Sequence, residues 1–377
     1  MKIKRFLFIS PVIRTGFTPN LSRLGFYFFT FLSLFLIPSS PLFADSKTGA
    51  DFLKIPLGAR AVGLGEAYTA LVEGPESLDW NPAGIAKTGS FYRPDTIGLS
   101  LSHQELFVEN KLDHIALAYP LPQVSFGLNV TRLSYPDQEG RDSDRNKTGS
   151  FGTSDLSLGG ALAYNFGMAQ MGSQLKFIQQ ELAGEKAQGW ALDFGLLTKI
   201  PKTPLSFGFA ARNLGPQLQF IHEKFNLPLS FSVGTLYQIC APLALSMDLK
   251  SQPNQNKMAL AFGTEFQAMD MVVLRAGYLA KLAENINPQR KSEINRGNFS
   301  GLPGFTAGLG IKFTQFSLDY ALAPMGELGD THSFTFSAWF GRSSGSEKPK
   351  KSPDKDRIIL QIDPSRSEDP SLDHLKP

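Results

Sequence analysis

The chain has 377 residues, only 19% of them charged, with 35 Gly, 31 Phe and 9 Tyr against 3 Trp. That charge content lies below the ~25% of an average soluble protein, yet mean hydropathy is only −0.11. Beyond the N-terminus no apolar run approaches the ~20 residues of a bilayer-crossing helix. These values exclude a helical membrane protein and disfavour a highly charged soluble one, whereas alternating strands fit them. The formal charge of +3 falls to −2 once Lys2, Lys4, Arg5, Arg14 and Arg23 are set aside, so no basic patch points to nucleic acid. The single cysteine, Cys240, excludes an internal disulfide and lies too far along the chain for an N-terminal lipid anchor.

Residues 1–44 read as a cleaved secretory signal. A basic leader runs to Arg23, an uncharged stretch covers Leu24–Ile37, Pro38 and Pro41 end it, and Ala44 precedes the expected cut at Asp45. The apolar run is too short for a membrane anchor. Export without a lipid anchor leaves the periplasm, the outer membrane or the exterior.

From 95 to 340 apolar residues recur with period two in fourteen segments. Ile97, Leu99 and Leu101 open the series, followed by Ile115–Tyr119, Val124–Val130, Leu156–Tyr164, a weak segment at Leu175 and Phe177, and a clear one at Trp190–Leu196. Phe207 and Phe209, Leu229–Ile239, Leu243–Leu249, Leu260–Phe266, Val272–Tyr278, Phe305–Phe313, Phe316–Tyr320 and Phe334–Phe340 complete it. Most span roughly 7–13 residues, near the ~9–11 of tilted membrane strands. Short connections at 120–123, 166–169, 200–204, 240–242, 267–270 and 313–315 alternate with longer ones near 103–111, 134–153, 181–189, 213–227, 251–256, 280–302 and 324–330. Transmembrane barrels sort their loops in this way, with tight turns on the periplasmic side, and soluble sandwiches do not. The predicted fold is all-β: a closed 14-stranded antiparallel transmembrane β-barrel over 95–340, with both barrel ends on the periplasmic side.

The opposite parity carries Ser125, Asn129, Lys176, Asp193, Asp248, Glu265, Arg275, Lys312, Ser317, Asp319, Thr335 and Ser337. Lys or Arg facing lipid at mid-depth costs ~2–4 kcal/mol, and a sheet in a bilayer must close to pair its backbone, so this parity faces the lumen. Its nearly balanced signs read as a salt-bridged network holding the interior or a plug; a polar path for solute is the alternative. Tyr119, Tyr164, Trp190, Tyr237, Tyr278 and Tyr320 lie toward strand ends, as an aromatic girdle would.

Residues 45–94 do not read as strands. Gly58–Ala70 is rich in small residues, and Asp79-Trp80-Asn81-Pro82-Ala83-Gly84 makes a turn, which predicts an N-terminal plug folded back into the lumen. The pattern G-A-R-A-x-G-x-G-x-A-Y-T-A over 58–70, followed by W-N-P-A-G over 80–84, resembles the PorV/PorQ proteins and their uncharacterised spirochaetal relatives. These belong to the wider FadL-like group of outer-membrane barrels. Leu318-Asp319-Tyr320-Ala321 and Leu328–Phe334 resemble that family's closing hairpin, and Asn81-Pro82-Ala83 matches the N-P-A of the FadL-like plug. Two departures are Leu64, where Met is commoner, and the 37 residues that follow Phe340, where such barrels usually end. The tail 341–377 is polar and charge-mixed and reads as disordered in the periplasm; alternatively, Arg357–Ile362 is a docking strand for a periplasmic partner.

No catalytic signature is present. His103, His114, His222, His332 and His374 are scattered, and CxxC, GxSxG, the P-loop and a complete GxGxxG are missing. No enzyme activity, metal site or cofactor is assigned. The resemblance implies a FadL-like channel or carrier, seated in outer-membrane lipid, in which a hydrophobic small molecule binds the external mouth and passes the plug or a lateral opening. Its ligand path would involve plug residues Arg60, Asn81 and Pro82 and lumenal Asp193, Glu265 and Arg275. The other function it implies is a PorV-like factor for protein secretion or surface attachment, holding secreted-protein cargo at loops 134–153 and 280–302.

Overall fold

The computed structural model describes residues 48–86, 96–121, 123–136, 138–141, 144–182, 184–283, 304–324 and 329–341. The expected signal, the tail beyond Gly341 and most of the loop 280–302 lie outside them. In chain order the strands are β1 (Ile97–Glu105), β2 (Lys111–Pro120), β3 (Val124–Ser134), β4 (Gln138–Arg141), β5 (Lys147–Phe151), β6 (Thr153–Asn165), β7 (Ala169–Leu182), β8 (Glu185–Lys199) and β9 (Leu205–Leu214). They continue as β10 (Leu218–Phe220), β11 (Glu223–Phe225), β12 (Ser230–Cys240), β13 (Leu243–Gln252), β14 (Lys257–Gln267), β15 (Val272–Ala283), β16 (Phe305–Lys312), β17 (Phe316–Pro324) and β18 (Asp330–Phe340). Among the described residues fourteen of these close into one antiparallel barrel, while β4–β5 and β10–β11 are separate two-stranded hairpins.

Closure is made by β1 against β18, in register from Ile97↔Phe340 to Glu105↔His332. No barrel strand is left with an unpaired edge facing lipid, which is the condition for a sheet to cross a membrane. Among the described residues no helix is long and apolar enough to cross one. The two faces divide as the parity predicts. Leu128, Leu162, Leu175, Phe262 and Phe336 point outward and are exposed to the bilayer, whereas ten of the twelve predicted lumenal residues are buried and Glu265 and Lys312 are half-buried. Tyr119, Tyr164 and Tyr237 ring the short-turn end, and Trp190, Tyr278 and Tyr320 lie toward the other, so the girdle is two belts.

The loop pattern departs from expectation at 181–189. There the sheet continues, with Leu182 paired to Glu185 across a connection of residues 183 and 184. Outward positions beyond the bilayer carry polar pairs, Gln188 Nε2 donating to Gln179 at 2.9 Å and Lys186 facing Glu181 at 3.5 Å. Hydrophobic alternation therefore stops at the membrane edge while the strands go on. Likewise, 134–153 and 213–227 are not wholly irregular, since each folds a short hairpin.

Residues 48–86 fill the lumen. They enter at the long-loop end, where Thr48 bridges to Asn226, and form only short turns and the five-residue helix Ala59–Gly63. So short a helix is not stable alone; the wall holds this segment by its backbone. Thr335 Oγ1 accepts from Ala59 N at 2.9 Å, Asp248 Oδ2 accepts from Tyr68 N and Thr69 N at 2.9 and 2.8 Å, and Gln180 Oε1 accepts from Ala50 N at 2.8 Å. Wall glycines make the room. A Cβ at Gly277 would fall on the backbone of Leu64 and Gly65, one at Gly172 on Pro82 and Ala83, and one at Gly208 on Thr69 and Ala70.

Candidate functional site

Two small cavities flank the plug, one at each end of the lumen. The external one, about 50 Å³, lies beside Trp80, Glu66, Lys176, Arg212 and Lys250. Strand parity puts Arg212 and Lys250 there, near the long-loop ends of β9 and β13, and the turn before Asn81 delivers Trp80. The indole Nε1 donates to the Leu57 carbonyl at 2.9 Å. Its ring is flanked by the Lys250 ammonium at 4.7 Å and the Arg212 guanidinium at 5.3 Å, a geometry in which the ring face attracts cations. Lys250 pairs with Glu66 at 2.8 Å, and Lys176 with Asp193 at 2.6 Å. Arg212 has no carboxylate partner among the described residues; its Nη1 donates to the Asp79 carbonyl at 2.6 Å. Of the three cations beside this cavity, Arg212 alone is left without a carboxylate partner among the described residues.

Above it the mouth is apolar. Phe52 and Ala50 pack with Leu112, Leu133, Ile178, Leu218 and Leu227, and Leu53, Ile55, Leu57, Leu106, Tyr135 and Phe220 surround them. Tyr135, just past β3, donates to Asp155 at 2.8 Å. Burial and that neighbouring carboxylate hold its phenol well above the ordinary range.

The periplasmic cavity, about 30 Å³, is lined by Arg60, Glu73, Glu76, Arg275, Lys312 and Asp319, among others. Arg60 grips Glu265 in a two-point fork, Nε to Oε2 and Nη2 to Oε1, both at 2.9 Å, and reaches Glu73 at 2.8 Å. Arg275 donates to Glu265 at 2.8 Å and to Asp319 at 2.5 Å. Ser337 donates to Glu76 at 2.9 Å. Arg60, Glu73, Glu265, Arg275 and Asp319 survive burial as charges because each is paired, and removing one partner of a buried pair costs about 3–5 kcal/mol.

Of the residues singled out in the sequence, Arg60, Glu265 and Arg275 meet in this one cluster. Asp193 is not part of it. It pairs with Lys176 and accepts from Asn213 N at 2.7 Å. Asn81 is buried and joins plug to wall, its Nδ2 donating to the Thr69 and Leu196 carbonyls at 2.9 and 3.2 Å, and Pro82 sits against Gly172 and Gly195. Tyr68, Trp80, Arg212, Lys250 and Glu76 were not singled out as site residues. For Arg212 and Lys250 the signal was available, since they share lumenal parity with Gly208 and Asp248. His114, also of lumenal parity, faces the plug's Asp79 at 3.1 Å. Among the described residues no group of three His, Cys, Asp or Glu could hold a metal ion.

No protein-family model and no curated protein matches the sequence. Solved structures do. The chain is similar to the toluene transporter TbuX of Ralstonia pickettii, at a TM-score of 0.51 and 13% identity over 75% of this chain and 97% of that one. It is similar to the toluene transporter TodX of Pseudomonas putida at 0.51 and 12%, over 74% and 98%. A Pseudomonas aeruginosa FadL homologue gives 0.48 and 12%, over 79% and 99%. The fold is shared with these toluene transporters. At these identities the likeness is one of fold, and the plug and lumen chemistry is read from this chain alone.

Proposed function

We propose that the protein is an outer-membrane carrier for hydrophobic small molecules, taken up at the external mouth and passed inward across the plug. Phe52, Leu53, Ile55 and Leu57, which line the external cavity and belong to the apolar cluster at the mouth, carry this reading. Apolar surface gains ~25 cal/mol per Å² on leaving water, so a solute with an apolar body is drawn there, whereas a sugar or an ion is not. Arg212, which has no carboxylate partner there, then favours solutes with an electron-rich ring or an acidic end over cationic ones. The toluene transporters of similar fold are consistent with this class of solute. Residues 1–44 would serve export, and Arg60, Glu265 and Arg275 would hold the plug on the route.

The test is flux of a radiolabelled aromatic hydrocarbon and of a long-chain carboxylate into liposomes holding the full chain or a chain lacking 48–86. Saturable entry with the full chain is expected. Equal, negligible entry with both chains would sink the transport reading. The finer PorV/PorQ likeness of residues 58–84 makes cargo holding the competing outcome: stable capture of secreted proteins from intact envelope, without solute entry, would replace transport by attachment.

A further inference from the structure

The two cavities are joined by one column of side chains, and we propose that Tyr68 in that column is the gate through the plug. The proposal rests on the transport reading above. Trp80 borders the external cavity and Arg60 the periplasmic one. Tyr68 lies between them, its ring 6.1 Å from that of Trp80 and edge-on at 85°, with the Arg60 guanidinium 5.7 Å from its other side. Lys250 and Arg212 lie over the ring of Trp80. A continuous stack of cations and rings thus runs through the plug from one cavity to the other.

Elsewhere the plug meets the wall through backbone, through tightly packed apolar groups, and through side chains held by hydrogen bonds or ion pairs, such as Asn81, Glu76 and Asp79. Backbone sits on glycine at Gly172, Gly208, Gly263 and Gly277. Leu78, Ile85 and Ala86 press on Ala116, Ala118, Ala161 and Ala163, and Trp339 packs against the same cluster. Opening there means moving the whole segment. In the column, rotating a side chain is enough. Tyr68 is also the least tethered member: its ring is buried, yet its hydroxyl has no hydrogen-bond partner among the described residues. A buried donor left unpaired is unfavourable, so the closed position of this ring is held by packing and by Arg60, not by a hydroxyl bond. Turning the ring toward either cavity relieves that cost and joins the two volumes.

Ion conductance across planar bilayers tests this without reference to any solute. The wild-type chain is expected to be closed, and a chain lacking 48–86 to conduct. Tyr68→Ala and the double variant Tyr68→Ala/Trp80→Ala are expected to raise steady conductance about tenfold or more, by removing the constriction. Ile85→Ala, on the packed side, stays closed. Tyr68→Phe stays closed and folds at least as well as wild type. The gate is overturned if both Tyr68→Ala chains are as closed as wild type while the plugless chain conducts, or if Ile85→Ala conducts equally. Should Tyr68→Ala fail to fold, Tyr68→Cys in a Cys240→Ser background replaces it. A small charged thiol reagent is expected to reach that cysteine in the folded chain, and its remaining unmodified overturns the gate. Conductance through Tyr68→Ala with no hydrocarbon entry in wild type would leave the gate standing and remove the transport reading instead.

Discussion

Gly277 shows how one missing atom positions the plug. Its Cα faces the backbone of Leu64 and Gly65, and Gly65 takes a φ of +60°, which any side chain would strain. Gly277→Ala is expected to unseat the plug locally, at the cost of about 1–3 kcal/mol typical of overpacking, and to lower the temperature at which the folded band disappears from cold-loaded gels. Gly160→Ala, whose new methyl meets only Leu128 Cδ2 at 3.8 Å, is the control and is expected to match wild type; equal loss in both would mean that the plug is not seated on the wall. The ion cluster obeys a different rule. Arg60→Met or Glu265→Gln alone breaks the two-point fork, while Glu265 keeps Arg275 in the first and Arg60 keeps Glu73 in the second. Each is expected to cost about 1.5–3 kcal/mol, and Arg60→Met/Glu265→Gln together less than the sum. Urea unfolding of the four chains measures the coupling, and additive losses would mean no direct pair. Parity in the sequence placed Glu265 and Arg275 in the lumen and composition placed Arg60 in the plug. That they meet depends on a plug only short turns long, whose path follows the wall glycines and leaves no periodic signal.

At the scale of the element, alternation was legible wherever one face met lipid and the other did not, because a period-two pattern follows from a half-greasy wall. It failed at the outer strand ends, where both faces meet water. His103 there faces Asp113 on the outward side at 2.7 Å, and the β7–β8 extension reads as polar loop for the same reason. The β4–β5 hairpin was hidden because it has no buried face to impose alternation, and β10–β11 because its strands of three residues bury only Leu218, too short a run to show a period. Closure of β1 on β18 was expected from the need to pair every edge, and it has a direct check. Ser102 and Thr335 are register partners whose hydroxyls lie 2.8 Å apart inside the lumen. Replacing both by cysteine in a Cys240→Ser background is expected to give a disulfide on mild oxidation, since facing positions on antiparallel strands match its reach. Peptide mapping of the oxidised folded protein reads it, and two free thiols would contradict this seam.

The whole molecule has a direction, set by the strand count and the path of the plug together. With fourteen barrel strands, β1 begins and β18 ends on the same side, and the short connections 121–123, 166–168, 241–242 and 313–315 lie there as well. Tight turns on the periplasmic side are the rule for such barrels, which places the β4–β5 and β10–β11 hairpins outside. The plug then runs inward: Thr48 bridges to Asn226 beside the external hairpin, and Glu73 and Glu76 reach the periplasmic cavity. An inverted barrel would put the apolar mouth around Phe52 in the periplasm, where it could not collect solute from outside, so sidedness decides whether the mouth has the proposed role. Cys240, the single cysteine, ends β12 at a short turn and is exposed. Val108, in the connection between β1 and β2, is 71% exposed at the opposite end. A membrane-impermeant maleimide added to intact cells is expected to spare the wild-type chain and to label Val108→Cys, and permeabilising the outer membrane should then expose Cys240 as well. Labelling of Cys240 in intact cells together with protection of Val108→Cys would invert the barrel, and with it the direction of uptake.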